Sequence, residues 1–178
     1  MCGIERAGFE QNEEMMQSAI QMDVMLHAYM FMQSGIPVLY SGDEIGQVND
    51  YTYKNDPHKA EDSRYIHRGA MRWDLADLEN NQIFIRLNQL EQIRRKEKAF
   101  VSNADTRTWD TGEKELLCIE RCYEGEQIIG IFNFSEHDKK AWIDGLEGDY
   151  TDLLTGQKKT ILGIDISEYG FHYLKKKK

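Results

Sequence analysis

Cysteine is scarce in this chain. Cys2, Cys118 and Cys122 make three, an odd number with no framework spacing, which excludes a disulfide scaffold and favours a reducing compartment. Basic charge is also in deficit, with 22 Lys and Arg against 31 Asp and Glu and a net charge of −9. That excludes nucleic acid and anionic membrane as partners, because a phosphate-binding surface needs clustered cations. The basic run Lys175–Lys178 stands at the very end and reads as a solvated tail. No apolar stretch approaches the ~18 residues of a membrane span, and no signal-peptide pattern is present. A soluble, cytoplasmic protein is the expectation. Neither a Gly-rich phosphate loop nor a Gly-x-Ser-x-Gly elbow occurs, and there is no internal repeat or low-complexity segment. No cofactor is expected. The 178 residues allow one domain or one and a half.

What is present is organised around Ser34–Gly46. Ile36 to Tyr40 is an unbroken apolar run led by β-branched and aromatic residues, bracketed by Gly35, Gly42 and Gly46. Such a run predicts a strand buried on both faces, as in parallel sheets, and Pro37 is tolerated at a strand's first residues. Residues 1–11 read as a poorly patterned lead-in. A helix is predicted from an Asn12 N-cap to Ser34-Gly35, with Met15, Met22, Met25 and Met32 on a broad apolar stripe assigned to core packing. Residues 47–72 are polar, yet interleaved with Tyr51, Tyr53 and Tyr65, and Trp73 follows. Aromatic faces mixed with Asp, His and Arg predict an ordered site loop suited to sugars. Asn80-Asn81 cap a second helix running to about Phe100. From residue 101 onward short runs at 115–123, 127–134, 140–143, 150–154, 159–166 and 170–174 alternate with turn signals such as Glu124-Gly125-Glu126, so an antiparallel β-sandwich is predicted over 101–178, after a domain of 1–100.

Individual residues carry candidate chemistry. Asp43-Glu44 is an adjacent carboxylate pair, but neighbours on an extended chain point opposite ways, so a structural role with Tyr40 in anchoring the loop is expected. Asp50, Asp56, Glu61 and Asp62 lack the spacing of a Ca²⁺ loop and read as solvated acids. Cys118 and Cys122 share a strand face without a His or a second Cys pair, so no metal site is expected. Trp109, Trp142, Tyr123 and Tyr150 offer either a sugar platform or core packing, and packing is the preferred reading.

Gly35-Ile-Pro-Val-Leu-Tyr-Ser-Gly-Asp-Glu-Ile-Gly46 resembles the last barrel strand and following loop of the α-amylase family of retaining α-glycoside enzymes. Asn49-Asp50 and Asp62-Ser-Arg-Tyr-Ile-His-Arg68 are similar to the amylosucrase branch, and Arg68–Asp74 echoes the α-glucosidases. Ile131–Ser135 and Asp152–Gly156 resemble strands of the sandwich that ends these enzymes. The resemblance implies an α/β plus all-β chain: the final helix–strand–helix portion of a (β/α)8 barrel, with its site loop at about 41–73, then an antiparallel β-sandwich. It implies that Arg64 lies at the floor of the sugar pocket, paired with an Asp from an early barrel strand, with Arg68, His67 and Asp62 as further substrate-binding candidates. The family's nucleophile and acid/base lie on earlier strands, and nothing in residues 1–34 stands for them, so no catalytic residue is assigned here. The expectation is a C-terminal portion of a larger enzyme acting on sucrose or α-glucan. The chain alone should be inactive and should associate with a second copy through its exposed barrel portion. The alternative is a stand-alone carbohydrate-binding or protein-interaction sandwich module.

Overall fold

The computed structural model describes residues 2–73 and 76–176. The chain divides into two compact units, one of Met1–Ile20 with Leu39–Ile85, the other of Gln21–Val38 with Arg86–Lys178. Among the described residues three α-helices form: α1 (Ile4–Glu10), α2 (Glu13–Met32) and α3 (Gln82–Lys96). The lead-in read from the sequence is therefore a helix, ended by Gln11 in the left-handed region with its N–H on Ala7 and Gly8. The caps follow the prediction. Asn12 Oδ1 accepts from the Met15 N–H at 3.0 Å, and Asn81 Oδ1 from the Phe84 N–H at 3.0 Å. Each satisfies one of the donors a helix start leaves orphaned.

Eight strands follow among the described residues: β1 (Asp105–Trp109), β2 (Leu116–Tyr123), β3 (Glu126–Asn133), β4 (Lys139–Ala141), β5 (Asp149–Asp152), β6 (Lys158–Thr160), β7 (Ile164–Ile166) and β8 (Phe171–Lys176). They build an antiparallel sheet of six in the order β1-β2-β3-β8-β5-β6, and a pair β4-β7. The β2–β3 hairpin turns through Glu124 and Gly125, both with positive φ (47° and 78°), so the register Tyr123↔Glu126 is set by a two-residue turn. The run predicted as one strand over 159–166 is broken into β6 and β7, and β1 was not foreseen.

The six-stranded sheet is covered on both faces. One face sends Leu116, Cys118, Ile129, Ile131, Tyr150 and Leu174 into a core closed by Ala141, Ile143, Leu146, Ile161, Ile164 and Ile166. The opposite face carries Phe132, Phe171 and Tyr173. There Tyr29 of α2 meets Phe132 edge-on at 5.8 Å, Phe100 meets Tyr173 at 5.5 Å, and the Tyr173 hydroxyl donates to the Ala28 carbonyl at 2.5 Å.

Three charged side chains tie this unit together, Arg121 and Glu120 buried and Arg94 half-buried. Arg121 is fully buried and donates to Ala99 O (2.7 Å), Met32 O (3.0 Å) and Val101 O (2.6 Å). Arg94 donates to Phe31 O (2.6 Å) and Gly35 O (2.8 Å). The last turn of α2 has no basic residue of its own, so these guanidinium groups supply the cations that its free carbonyls favour. Glu120, also buried, receives Arg107, Cys122, Trp109 and Gln127. Burial pushes its carboxyl up, but those donors together hold it below the ordinary range.

One prediction fails. Ile36 to Tyr40 forms no strand and joins no sheet among the described residues, and Ile36 and Val38 are 86% and 78% exposed. A strand is held by hydrogen-bonded neighbours, and none of the described strands supplies them.

Candidate functional site

The segment 41–73 is ordered by its own short side chains. Three aspartates fold back on the backbone two residues ahead: Asp50 onto the Thr52 N–H (2.9 Å), Asp56 onto the His58 N–H (2.9 Å) and Asp62 onto the Arg64 N–H (3.0 Å). These turns compete with regular helix or sheet and pin the loop as short three-ten turns at Tyr51–Asn55 and Ser63–His67. The Asp50 N–H donates to the Ile66 carbonyl at 2.9 Å and joins the two turns. The acids considered for Ca²⁺ are thus spent in part on local turns. Among the described residues no group of three or more His, Cys, Asp or Glu is placed to hold a metal.

Between these turns and Tyr40–Asn49 lies a hollow of about 610 Å³. Its wall includes Tyr40, Asp43, Arg64, His67 and Arg68, five of the seven residues singled out in the sequence. Arg64 forms a two-point pair with Asp62, Nε to Oδ1 at 2.8 Å and one terminal nitrogen to Oδ2 at 2.7 Å. The guanidinium holds the Asp62 carboxyl down to about 2. The pair is solvent-facing, with the Arg64 side chain 70% exposed, so it orients the guanidinium more than it stabilises the fold. Arg68 lies 5.9 Å from the centre of the Tyr65 ring, within cation–π range.

His67 is held from two sides. Its carbonyl accepts the Tyr40 hydroxyl at 3.3 Å, and its Nδ1 meets Asn49 Oδ1 at 3.0 Å. Asn49 Nδ2 donates to the Glu5 carboxylate at 2.8 Å, which fixes the amide with its oxygen toward the imidazole. Nδ1 therefore carries the proton, and a neutral His67 presents Nε2 as an acceptor. Glu5 was absent from the sequence reading; it lies in the segment taken as unpatterned, and no spacing could have linked it to Asn49. Glu44 accepts the Gly42 N–H at 2.7 Å and tightens the turn that sets Asp43.

Chemically the hollow is rich in donors, with one carboxylate, Asp43, among its lining residues. It can bind and orient hydroxyl groups. It does not by itself bring together the two carboxylates that glycoside hydrolysis uses.

The antiparallel domain after the loop places the chain among known proteins. Residues 109–166 match the family described as Bacterial Alpha amylase C-terminal domain. This region is therefore similar to the C-terminal domains of α-amylase-type glycoside hydrolases, and its antiparallel fold agrees with that likeness. The chain is 28% identical over 120 residues to a cyclomaltodextrinase of Thermoanaerobacter pseudethanolicus (strain ATCC 33223 / 39E), which covers 67% of this chain and 18% of that protein. Among solved structures it resembles an Anoxybacillus α-amylase (TM-score 0.69, 17% identity, 93% of this chain and 35% of that one). It also resembles the trehalose-6-phosphate hydrolase of Bacillus licheniformis (TM-score 0.67, 18% identity, 88% and 39%). A third likeness is to a maltogenic amylase from S. marinus (TM-score 0.62, 23% identity, 88% and 19%). The chain thus spans between about a fifth and two fifths of the length of these proteins.

Proposed function

We propose that the chain is the C-terminal portion of a retaining enzyme acting on α-glucosidic bonds, supplying one wall of the sugar pocket and the terminal β-domain but not the reacting carboxylates. The observation that carries this reading is the hollow itself. It combines a guanidinium pre-oriented by Asp62, a second guanidinium at Arg68, an imidazole acceptor at His67 and a carboxylate at Asp43. Planar donor forks and fixed acceptors suit vicinal sugar hydroxyls. The α-amylase-type domain that follows, and the relatives named above, support α-glucan as the substrate class. The finer reading, an amylosucrase-like enzyme that transfers glucose from sucrose, rests on Asn49-Asp50 and the run Asp62–Arg68.

In this reading residues 1–100 are the last helices and strand of a (β/α)8 barrel. Ile36–Tyr40 becomes a true strand when flanked by its neighbours, and a second copy of the chain could offer a partner edge in their place. The 178-residue chain alone should release no sugar from sucrose, maltose or starch. In the complete enzyme, Arg64→Ala should lower kcat/KM roughly 10²-fold, because a charged pair at the pocket floor loses one member. Steady-state kinetics test this: a loss under roughly tenfold with folding intact returns Arg64 to the role of a surface ion pair.

A further inference from the structure

The small sheet β4–β7 turns Ala141, Ile164 and Ile166 into the core and leaves its other face to solvent. On that outer face Lys140 and Asp165 stand opposite in register, with Nζ and Oδ1 3.6 Å apart. Trp142, two residues beyond Lys140, is 60% exposed. A single exposed apolar side chain is ordinary, but this one is held in place. Gly163 has φ +69°, and a Cβ built there would lie 2.9 Å from Trp142 Cζ2, 3.0 Å from Cη2 and 3.1 Å from Lys140 Cε. The backbone at 163 thus forgoes a side chain where the indole lies against it, and Trp142 and Lys140 converge on the same spot.

Beyond Lys140 and Asp165 the surface falls into a hollow of about 550 Å³, walled also by His172, Ser167 and Asp138. Its wall is rigid. His172 Nδ1 donates to Asp152 Oδ2 at 2.8 Å and its Nε2 meets the Asp165 carbonyl at 3.1 Å. Asp152 is buried beneath it and also takes the Leu154 N–H at 2.9 Å. A fixed indole next to an alternating cation and carboxylate, opening on a hollow of this size, is what a pyranose chain needs. The sugar's C–H face lies on the ring, and its vicinal hydroxyls find a donor at Lys140 and an acceptor at Asp165. A phosphate ligand is disfavoured because Asp138 and Asp165 line the hollow beside Lys139 and Lys140, and Lys139 already pairs with Glu115.

We propose that the outer face of β4–β7 and its adjoining hollow form a second, non-catalytic sugar site, with Trp142 as its stacking platform and α-glucan as its ligand. The choice of an α-linked sugar rests on the proposed function; the site itself does not.

Native electrophoresis of the full chain, through gels cast with soluble amylopectin or with hydroxyethylcellulose, tests the proposal. The amylopectin gel should retard the wild type. Trp142→Ala should raise the dissociation constant roughly tenfold or more, and Gly163→Ala, which forces the ring off its seat, should raise it by a smaller factor. Near-UV circular dichroism checks that both remain folded. Arg64→Ala should keep the retardation, so loss of the proposed function and loss of this site read differently. Unretarded wild type, or retardation that survives Trp142→Ala, overturns the site. Equal retardation in the cellulose gel overturns the α-linked assignment. Self-association abolished by Trp142→Ala, with no retardation by glucan, makes the face a protein contact and overturns the proposal.

Discussion

Two apolar runs of the same length, Ile36–Tyr40 and Ile128–Phe132, meet opposite fates. Ile128, Ile129, Ile131 and Phe132 are fully buried, in a strand paired with β2 on one side and β8 on the other. Ile36 and Val38 are exposed to solvent with no strand partner among the described residues. Their composition differs little. What differs is where partners lie in the chain. β3 meets β2 across a two-residue turn and β8 about 40 residues on, whereas the strands a barrel would set beside Ile36–Tyr40 are not among those described here. A hydrophobic run is an offer of a strand, and only its neighbours complete it.

The sharpest test places the same charge in both runs. Ile131→Asp should abolish the folded state, because an unpaired carboxylate would sit in the closed core between the sheets. Ile36→Asp should change stability by less than about 0.5 kcal/mol, as for other exposed sites. Urea unfolding followed by circular dichroism measures both, and hydrogen exchange should find the Ile128–Phe132 amides protected and those of Ile36 and Val38 open. If Ile36→Asp proves as damaging as Ile131→Asp, the contrast between the runs is wrong. In a complete barrel enzyme the two substitutions should converge.

A smaller loss is expected at Arg121, whose burial serves three carbonyls. Arg121→Met keeps much of the packing but orphans Ala99, Val101 and Met32, at a cost of about 3 kcal/mol. Urea midpoints measure this. Loss within 1 kcal/mol would mean that solvent replaces the guanidinium and that α2 needs no cation from the sheet.

The smallest effect concerns acid. Glu120, Glu126 and Asp152 are each pushed up by burial, yet donors from Arg107, Lys175 and His172 respectively, among others, hold them below the ordinary carboxylate range. A depressed carboxyl stabilises fully above its unfolded value, roughly 4, and loses that contribution as pH falls through the lower folded value. The thermal midpoint should therefore drop on acidification below about pH 4. Glu120→Gln should lower neutral stability by about 1 kcal/mol and flatten the acid limb. An unchanged limb in that variant would assign acid sensitivity to the other two carboxylates.

Much of the fold was legible because it is written in local signals. Asn12 and Asn81 capped their helices as read, and the Gly125 turn and most strand runs after residue 101 stood where alternation and turn residues put them. The candidate site was legible only as a set of names. Arg64, Arg68, His67 and Tyr40 come to one hollow because Asp50, Asp56 and Asp62 fold the loop back on itself, a pattern of side chain to backbone bonds within reach of sequence reading. The Glu5–Asn49–His67 relay was not, since its members are 44 and 18 residues apart and no periodicity links them.

By itself the sequence determined which segments could be helix, strand or turn, since capping, periodicity and glycine conformation act over a few residues. Its acidic balance also set an expectation against nucleic acid and anionic membrane as partners, because those surfaces call for clustered cations. Only the tertiary structure decided that Ile128–Phe132 is a strand and Ile36–Tyr40 is not, that Trp142 is exposed while Tyr150 is buried, and that Arg121 caps a helix 89 residues away. Burial and hydrogen-bond pairing depend on which surfaces meet across the chain, and that distance is invisible to any local pattern.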